Sequence, residues 1–282
     1  MKSGTILLLG ATNSGKSTLI NQIVGQRVSM VSRKKQSTTF NQKAVRNISE
    51  AEFIIQDTPG IFSAKTKISN KMTNTAFSGI DEADIVLVVV DTGVTKNNEL
   101  KKIITTLNQN NNNSKIFLVL NKIDKVNRKS VLEKIKELGD MNLFNEIFPI
   151  SALLGDGVDE MLFIIKKYLP KRKKKFSSKK TLLLKKDIYY TEVTREKIYD
   201  RTHKEIPYEC KVSTDKVVNS KKMITIHQTI HITKKSHKYI LVGNKGINLK
   251  NIGESARKEI SKFMNKKVNL FLFVKLTSTN KS

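Results

Sequence analysis

Gly10-Ala11-Thr12-Asn13-Ser14-Gly15-Lys16-Ser17-Thr18 is the stretch whose reading decides the fold. It follows the apolar run Ile6 to Leu9 and precedes Leu19, Ile20 and Ile23 at helical spacing, which places it between a buried strand and a helix. Gly10 and Gly15 admit backbone conformations closed to other residues, so successive amide N–H groups can turn inward on an anion at the positive end of the following helix. Lys16 adds a point charge over the outer phosphates, and Ser17 offers a hydroxyl to the Mg2+ that phosphates bring with them. The whole nonapeptide reads as a P-loop.

Outward from this loop, residues 5 to 169 alternate strand-like runs with amphipathic stretches. Strands are expected at Ile6 to Leu9, Phe53 to Gln56, Ile85 to Val90, Ile116 to Leu120 and Ile147 to Ile150. Helices are expected near Lys16 to Gly25, Glu99 to Leu107, Val131 to Leu138 and Val158 to Leu169. That alternation predicts an α/β unit with a doubly wound, mostly parallel sheet, whose ligands sit at the carboxyl ends of its strands.

Three further motifs fall at such ends. Asp57-Thr58-Pro59-Gly60 supplies an acid to hold Mg2+ through its water shell and an amide, that of Gly60, to approach a terminal phosphate. Asn121-Lys122-Ile123-Asp124 supplies a carboxylate that accepts from the N1 and N2 groups of guanine and would be left unpaired against adenine. Ser151-Ala152-Leu153 offers a backbone N–H to the guanine O6.

The four motifs in this order resemble the GTPases of the translation-factor-related class. The resemblance implies a GTP/GDP site with Mg2+ bound at Ser17, Asp57 and a mobile threonine. Among Ser37, Thr38 and Thr39 the choice falls on Thr38, which joins Lys16 and Gly60 as the catalytic set. Ile61 stands where Ras-like enzymes keep a water-orienting glutamine. Some GTPases with a hydrophobic residue there use K+ beside a P-loop asparagine, and Asn13 is at the matching position, so K+ is expected to accelerate hydrolysis.

Totals bound the remaining classes. At 282 residues and 38% hydrophobic content the chain can fill two cores. No apolar run approaches the roughly 20 residues of a membrane helix. The first strand starts almost at Met1 and Cys210 is the lone cysteine, so a cytosolic protein is expected. The net charge of +27 is uneven: residues 1 to 170 carry 23 Lys/Arg against 16 Asp/Glu, residues 171 to 282 carry 29 against 9. Compositional bias would raise lysine in both parts alike, so the second is expected to meet a polyanion.

Lys171-Arg172-Lys173-Lys174-Lys175-Phe176-Ser177-Ser178-Lys179-Lys180 reads as a linker too self-repelling to pack, spanning 171–186 between domains at 1–170 and 187–282. It is either a solvated hinge or a contact for phosphate or anionic lipid at the inner face of the cell membrane. Beyond it, Tyr190 to Thr202 has helical character, and Tyr208 to Val217 and Met223 to Thr233 alternate as strands. Gly243-Asn244-Lys245-Gly246, between apolar helical segments and before a closing strand at Val268 to Val274, is a GXXG loop able to approach a nucleic-acid strand. Helix, two strands, two helices and a strand give the smaller α+β arrangement of a type II KH domain. Phe271-Leu272-Phe273 is expected to pack the closing strand rather than to stack bases. His227 and His231 sit at strand spacing, too far apart to share a metal.

The chain as a whole resembles the Era family of bacterial GTPases. Beyond the motifs above, the resemblance rests on Ser32-Arg33-Lys34 leading into Gln36 and Thr38, Thr194-Arg195-Glu196-Lys197 followed by Glu205-Ile206-Pro207-Tyr208, and Ile252-Gly253-Glu254-Ser255-Ala256-Arg257-Lys258-Glu259. Ser14, Thr39 and the expanded lysine run depart from the family's pattern. The resemblance implies a slow, monomeric GTPase switch that binds the 3′ end of 16S ribosomal RNA and assists assembly of the 30S subunit. Rival expectations are an RNA-binding factor that no longer hydrolyses, a membrane-surface switch, and a tRNA-modification GTPase, whose reactive cysteine motif is absent.

Overall fold

Near-continuous apolar runs form the strands of the first sheet because both of its faces are covered. The computed structural model describes residues 1–29, 42–61, 76–94, 98–109, 114–176, 186–202 and 210–277. The chain divides into two units that change over between Leu183 and Leu184.

In the first unit the strands are β1 (Lys2–Leu9), β2 (Gln42–Ile48), β3 (Ala51–Asp57), β4 (Ile85–Asp91), β5 (Lys115–Asn121) and β6 (Glu146–Ile150). Their order is β2-β3-β1-β4-β5-β6, parallel throughout except for the β2/β3 hairpin. Helices α1 (Lys16–Val24), α2 (Asn98–Gln109), α3 (Arg128–Gly139) and α4 (Val158–Tyr168) connect them. Leu100, Ile103 and Leu107 of α2 bury their stripe against Val88, Leu118 and Leu120. From β1 the chain turns first to β3 on one side and then to β4 on the other, so the loop after β1 lies at the switch point of the sheet.

Strand β2 escaped the sequence reading. Its run Gln-Lys-Ala-Val-Arg-Asn-Ile holds only three apolar residues, and the strand is defined by pairing with β3.

The basic segment after Pro170 also departs from expectation. Buried Glu52 accepts from Ser3 Oγ at 2.6 Å and from the amides of Lys175 and Phe176 at 2.8 and 2.9 Å. Arg172 pairs with Asp84 at 3.0 Å. Self-repulsion does not keep Lys171 to Phe176 off the domain, because Glu52 holds the backbone and Asp84 the Arg172 side chain, while Lys171, Lys173 and Lys175 are exposed to water. The second half of the run, from Ser177, lies outside the described residues.

The second unit comprises α5 (Lys186–Arg201), β7 (Lys211–Asn219), β8 (Met223–Ile232), α6 (Lys235–Val242), a 3-10 turn at Asn244–Gly246, α7 (Ile247–Met264) and β9 (Lys267–Leu276). Strands β7 and β8 are antiparallel, β8 and β9 parallel, and β9 is an edge. Ile198, Val212, Ile230, Ile232, Leu241 and Ile252 form the core between sheet and helices. Phe271 and Phe273 are not in it. They are 47% and 55% exposed on the outer face, and only Leu272 between them turns toward the helices. The expectation that this triplet packs the closing strand is corrected accordingly.

Glu192 of α5 is buried, with Arg195 Nη2 at 3.1 Å. Burial lifts its carboxyl from 4.5 to about 7, Arg195 opposing and Glu196 adding to the rise. The folded state therefore holds this proton more tightly than the unfolded chain, so its contribution is full below pH 4.5 and is lost as pH rises toward 7. At about 1.4 kcal/mol per pH unit the loss is on the order of 3 kcal/mol. Glu192→Gln should remove this dependence. Hydrogen-exchange protection of α5 amides should fall between pH 5 and pH 8 in the unaltered chain and stay level in the variant; equal slopes in the two would refute the assignment.

Candidate functional site

The loop from Gly10 to Ser17 closes on itself through Lys16, whose Nζ donates to the carbonyls of Gly10 and Ala11, both at 2.9 Å. Burial pulls its ammonium down to about 8, with the Asp57 charge opposing the fall. Such a buried cation favours an anionic ligand. Gly15 takes φ 100°, and a Cβ there would stand 2.1 Å from Asn121 Nδ2. Asn13, also left-handed at φ 65°, exposes its side chain at the rim.

Asp57, at the end of β3, is fully buried. Its Oδ2 accepts from Ser17 Oγ at 3.0 Å and from Ser29 Oγ, while its Oδ1 has no hydrogen-bond partner. Burial raises its pKa, against the opposing pull of Ser29, Lys16, Ser17 and the Thr58 backbone. An unpartnered buried carboxylate oxygen beside a serine hydroxyl fits a hard divalent cation with oxygen ligands. Thr58 is engaged elsewhere, donating to Leu8 O at 2.6 Å, and Pro59 leads into Gly60, where a Cβ would meet the Thr12 backbone at 2.8 Å. Ile61 then bridges to the loop in both directions: Thr12 N donates to Ile61 O and Ile61 N to Gly10 O, each at 3.1 Å.

Asn121, at the end of β5, joins three loops. Its Nδ2 donates to Ser14 O at 2.8 Å, and its Oδ1 accepts from Lys122 N at 2.8 Å and Ala152 N at 2.9 Å. Lys122 reaches back to Asn13 O and to Asp91, both at 2.6 Å. Ile123 and Asp124 form a short 3-10 turn, with Asp124 exposed and accepting from Ser151 Oγ at 2.6 Å. The Ser151 amide is engaged by Asp156 O and the Ala152 amide by Asn121, which leaves that of Leu153 as the tripeptide's candidate donor to a base. Thr38 and the segment Ser32 to Thr39 lie outside the described residues.

Sequence reasoning missed Ser29 and Asp91. Neither belongs to a motif, although Asp91 does follow a strand at the same sheet edge as the others.

In the second unit Gly243 and Gly246 take φ 74° and 79°, with left-handed Lys245 between Asn244 and Gly246. A Cβ on Gly243 would meet Asn248 at 2.7 Å, whereas Gly246 faces open space. The open glycine heads a groove of about 420 Å³ lined by Leu249, Lys250, Gly253, Glu254, Arg257, Leu270 and Leu272. Apolar floor, bare backbone and a rim where Lys250 and Arg257 outnumber Glu254 suit an unpaired nucleic-acid strand. Among the described residues, no helix is long and apolar enough to cross a membrane.

Fold and site define a class: a P-loop GTPase domain followed by a type II KH domain. Residues 5–122 match the family described as 50S ribosome-binding GTPase, and residues 205–280 match the KH domain. The chain is 38% identical to GTPase Era of Syntrophus aciditrophicus (strain SB) over 277 residues, covering 98% of this chain and 90% of that one. Against GTPase Era of Bradyrhizobium diazoefficiens it is 37% identical, with 98% and 89% covered. A solved structure of a Tyr-to-Ala variant of Aquifex aeolicus Era bound to GDP-AlF4− superposes at TM-score 0.90, with 33% identity and 99% and 95% of the two chains covered. Era in complex with MgGDPNP and nucleotides 1506–1542 of 16S ribosomal RNA gives 0.92, with 32% identity and the same coverage. The chain belongs to the Era family and is a GTPase.

Asn121→Ala should release three loops at once. Leaving Ser14 O, the buried Ala152 amide and the part-buried Lys122 amide without a partner costs about 2 to 4 kcal/mol, less than their separate sum because water enters. Denaturation midpoints should fall by that amount and GDP affinity by at least about tenfold; a variant with unaltered GDP affinity would remove Asn121 from the site.

Proposed function

We propose that this chain is a Mg2+-dependent switch that binds the single-stranded 3′ end of 16S ribosomal RNA in the GXXG groove and assists assembly of the 30S subunit. The observation that carries the RNA half is the open backbone at Gly246 beside exposed Lys245, above a groove with a leucine floor where Lys250 and Arg257 outnumber Glu254. The bound RNA in the solved Era complex, at 32% identity, gives the strand its expected identity. Four unpaired bases are the local footprint of such a loop.

In the nucleotide half, amides of the Gly10–Thr18 loop other than that of Thr12, which Ile61 O engages, and the ammonium of Lys16 hold the phosphates. Asp124 and the Leu153 amide read the guanine edge, while Asn121 and Lys122 keep the loops in place. When bound, Mg2+ supplies charge neutralisation on the phosphates, held by Ser17, Thr38 and, through water, Asp57. Ile61 carries no group that could orient water, so turnover by the chain alone is slow. The exposed side chains of Lys171, Lys173 and Lys175 add a peripheral contact for anionic headgroups at the inner face of the membrane, with the chain itself monomeric.

Affinity for an unstructured 3′-end RNA should differ between the GDP form and the form with a nonhydrolysable GTP analogue, and Lys16→Ala should abolish that difference while leaving binding by the nucleotide-free chain intact. Equal affinity in all nucleotide states would end the switch reading. K+ at Asn13 should give faster GTP turnover in KCl than in NaCl, an advantage lost in Asn13→Ala; equal turnover in the two salts would remove the ion.

A further inference from the structure

The outer face of the second unit's sheet is unlike an ordinary solvated face. Cross-strand partners place Lys216, His227 and Phe271 in one row, Ser213, Thr229 and Phe273 in the next, and Lys211, His231 and Lys275 in a third. His227 lies 4.9 Å from the Phe271 ring at an interplanar angle of 16° and 6.4 Å from the Phe273 ring at 9°. Three nearly parallel aromatic rings thus stand in water, the two phenyl rings about half exposed. Lys211, Lys216, Lys267 and Lys275 are exposed around them. Among the described residues the face's one carboxylate, Asp215, already accepts from Ser213 Oγ at 2.8 Å and Thr229 Oγ1 at 2.6 Å.

We propose that this face is a second platform for single-stranded RNA, on which bases beyond those in the GXXG groove stack against Phe271 and Phe273 while the lysines meet the phosphates. The inference rests on the RNA reading of the groove. Exposed aromatic rings set among cations are the chemistry of sequence-tolerant base stacking. An apolar protein partner would bury the same phenyl rings, but it would also desolvate four lysines against a single carboxylate that is already hydrogen-bonded.

Position makes the extension direct. β9 is an edge strand whose Leu270 and Leu272 line the groove on one side while Phe271 and Phe273 project on the other. A strand leaving the groove therefore reaches the platform by passing around one edge, with no other described element of this unit to cross. Because alternate side chains of a strand point to opposite faces, one strand serves both surfaces.

The test uses the full chain and two unstructured RNAs from the 3′ end of small-subunit ribosomal RNA: one of about four nucleotides that fills the groove, one of about twelve that extends beyond it. Each added position of the longer strand is replaced in turn by 2-aminopurine, whose fluorescence is quenched on stacking. Phe271→Ala with Phe273→Ala should weaken the longer RNA about tenfold or more, relieve the quenching, and leave the shorter RNA unaffected. Tyrosine at both positions should retain binding and quenching, which separates lost stacking from lost folding. Lys245→Asp should weaken both RNAs; if it weakens neither, the groove reading fails on its own account. If Lys245→Asp acts and the alanine pair leaves the longer RNA unchanged, the platform is refuted. Loss of a protein from cellular pull-downs by the alanine pair, with RNA affinity intact, would assign the face to that protein and likewise overturn the proposal.

Discussion

The side-chain amide of Asn121 is the fastening on which the nucleotide site depends. A loop that aims its backbone donors at a common centre turns their dipoles together, an arrangement it cannot keep without ties to its surroundings. Asn121 provides these by donating to Ser14 O and accepting from Ala152 N, so the phosphate loop and the base-reading loop share one residue. The closeness of that contact gives Gly15 a second reason to be glycine. Its φ of 100° favours glycine in any case, but a Cβ would also stand 2.1 Å from the Asn121 amide. Lys122 extends the fastening to Asn13 O and Asp91, which leaves Asp124 as the member of the tetrapeptide whose side chain faces the rim.

What the sequence made legible were features whose physics is local. The P-loop, the two strand-end tetrapeptides and the GXXG loop each carry their chemistry in a few consecutive residues, and the strands of the parallel sheet are apolar because both faces are buried. Contacts between distant residues were not legible. The Asn121 to Ser14 bond spans 107 positions and the Glu52 grip on Lys175 spans 123, and neither leaves a periodic trace. Ser29, at the mouth of the segment after α1, reaches Asp57 only because the fold brings it there. The outward turn of Phe271 and Phe273 was hidden for a different reason. Residues 270 to 274 of β9 are apolar at every position, so a period of two gives no phase, and only the packing of Leu270 and Leu272 against α7 decides which set faces inward.

Charge follows the same division of labour. The first unit spends its acidic groups on structure: Glu52 and Asp84 hold the start of the basic segment, and Asp57 lies within the nucleotide site. In the second unit acids are few, and Glu192, Glu259 and Asp215 among them engage an arginine, a lysine and two hydroxyls, so its lysine excess is left largely uncompensated. That excess is long-ranged and screened by salt, and it attracts a polyanion without selecting among its sequences. Selection has to come from a surface that reads base edges, which the sequence-tolerant stacking proposed for the sheet face does not do, so the groove is the candidate for it.

Ile61 shows how one backbone bridge constrains chemistry. Its amide and carbonyl bind Gly10 and Thr12, drawing the segment after β3 onto the phosphate loop and burying the side chain completely. A glutamine placed there would enter an apolar pocket with Leu9, Ala76 and Ile80, where an unpartnered amide costs roughly 1 to 3 kcal/mol. It could reach water only by breaking the bridge that positions Gly60 against Thr12. The hydrophobic residue is thus the side of a trade that keeps the two loops latched, and the charge developed during phosphoryl transfer must be met by groups the latch holds in place, the loop amides and Lys16.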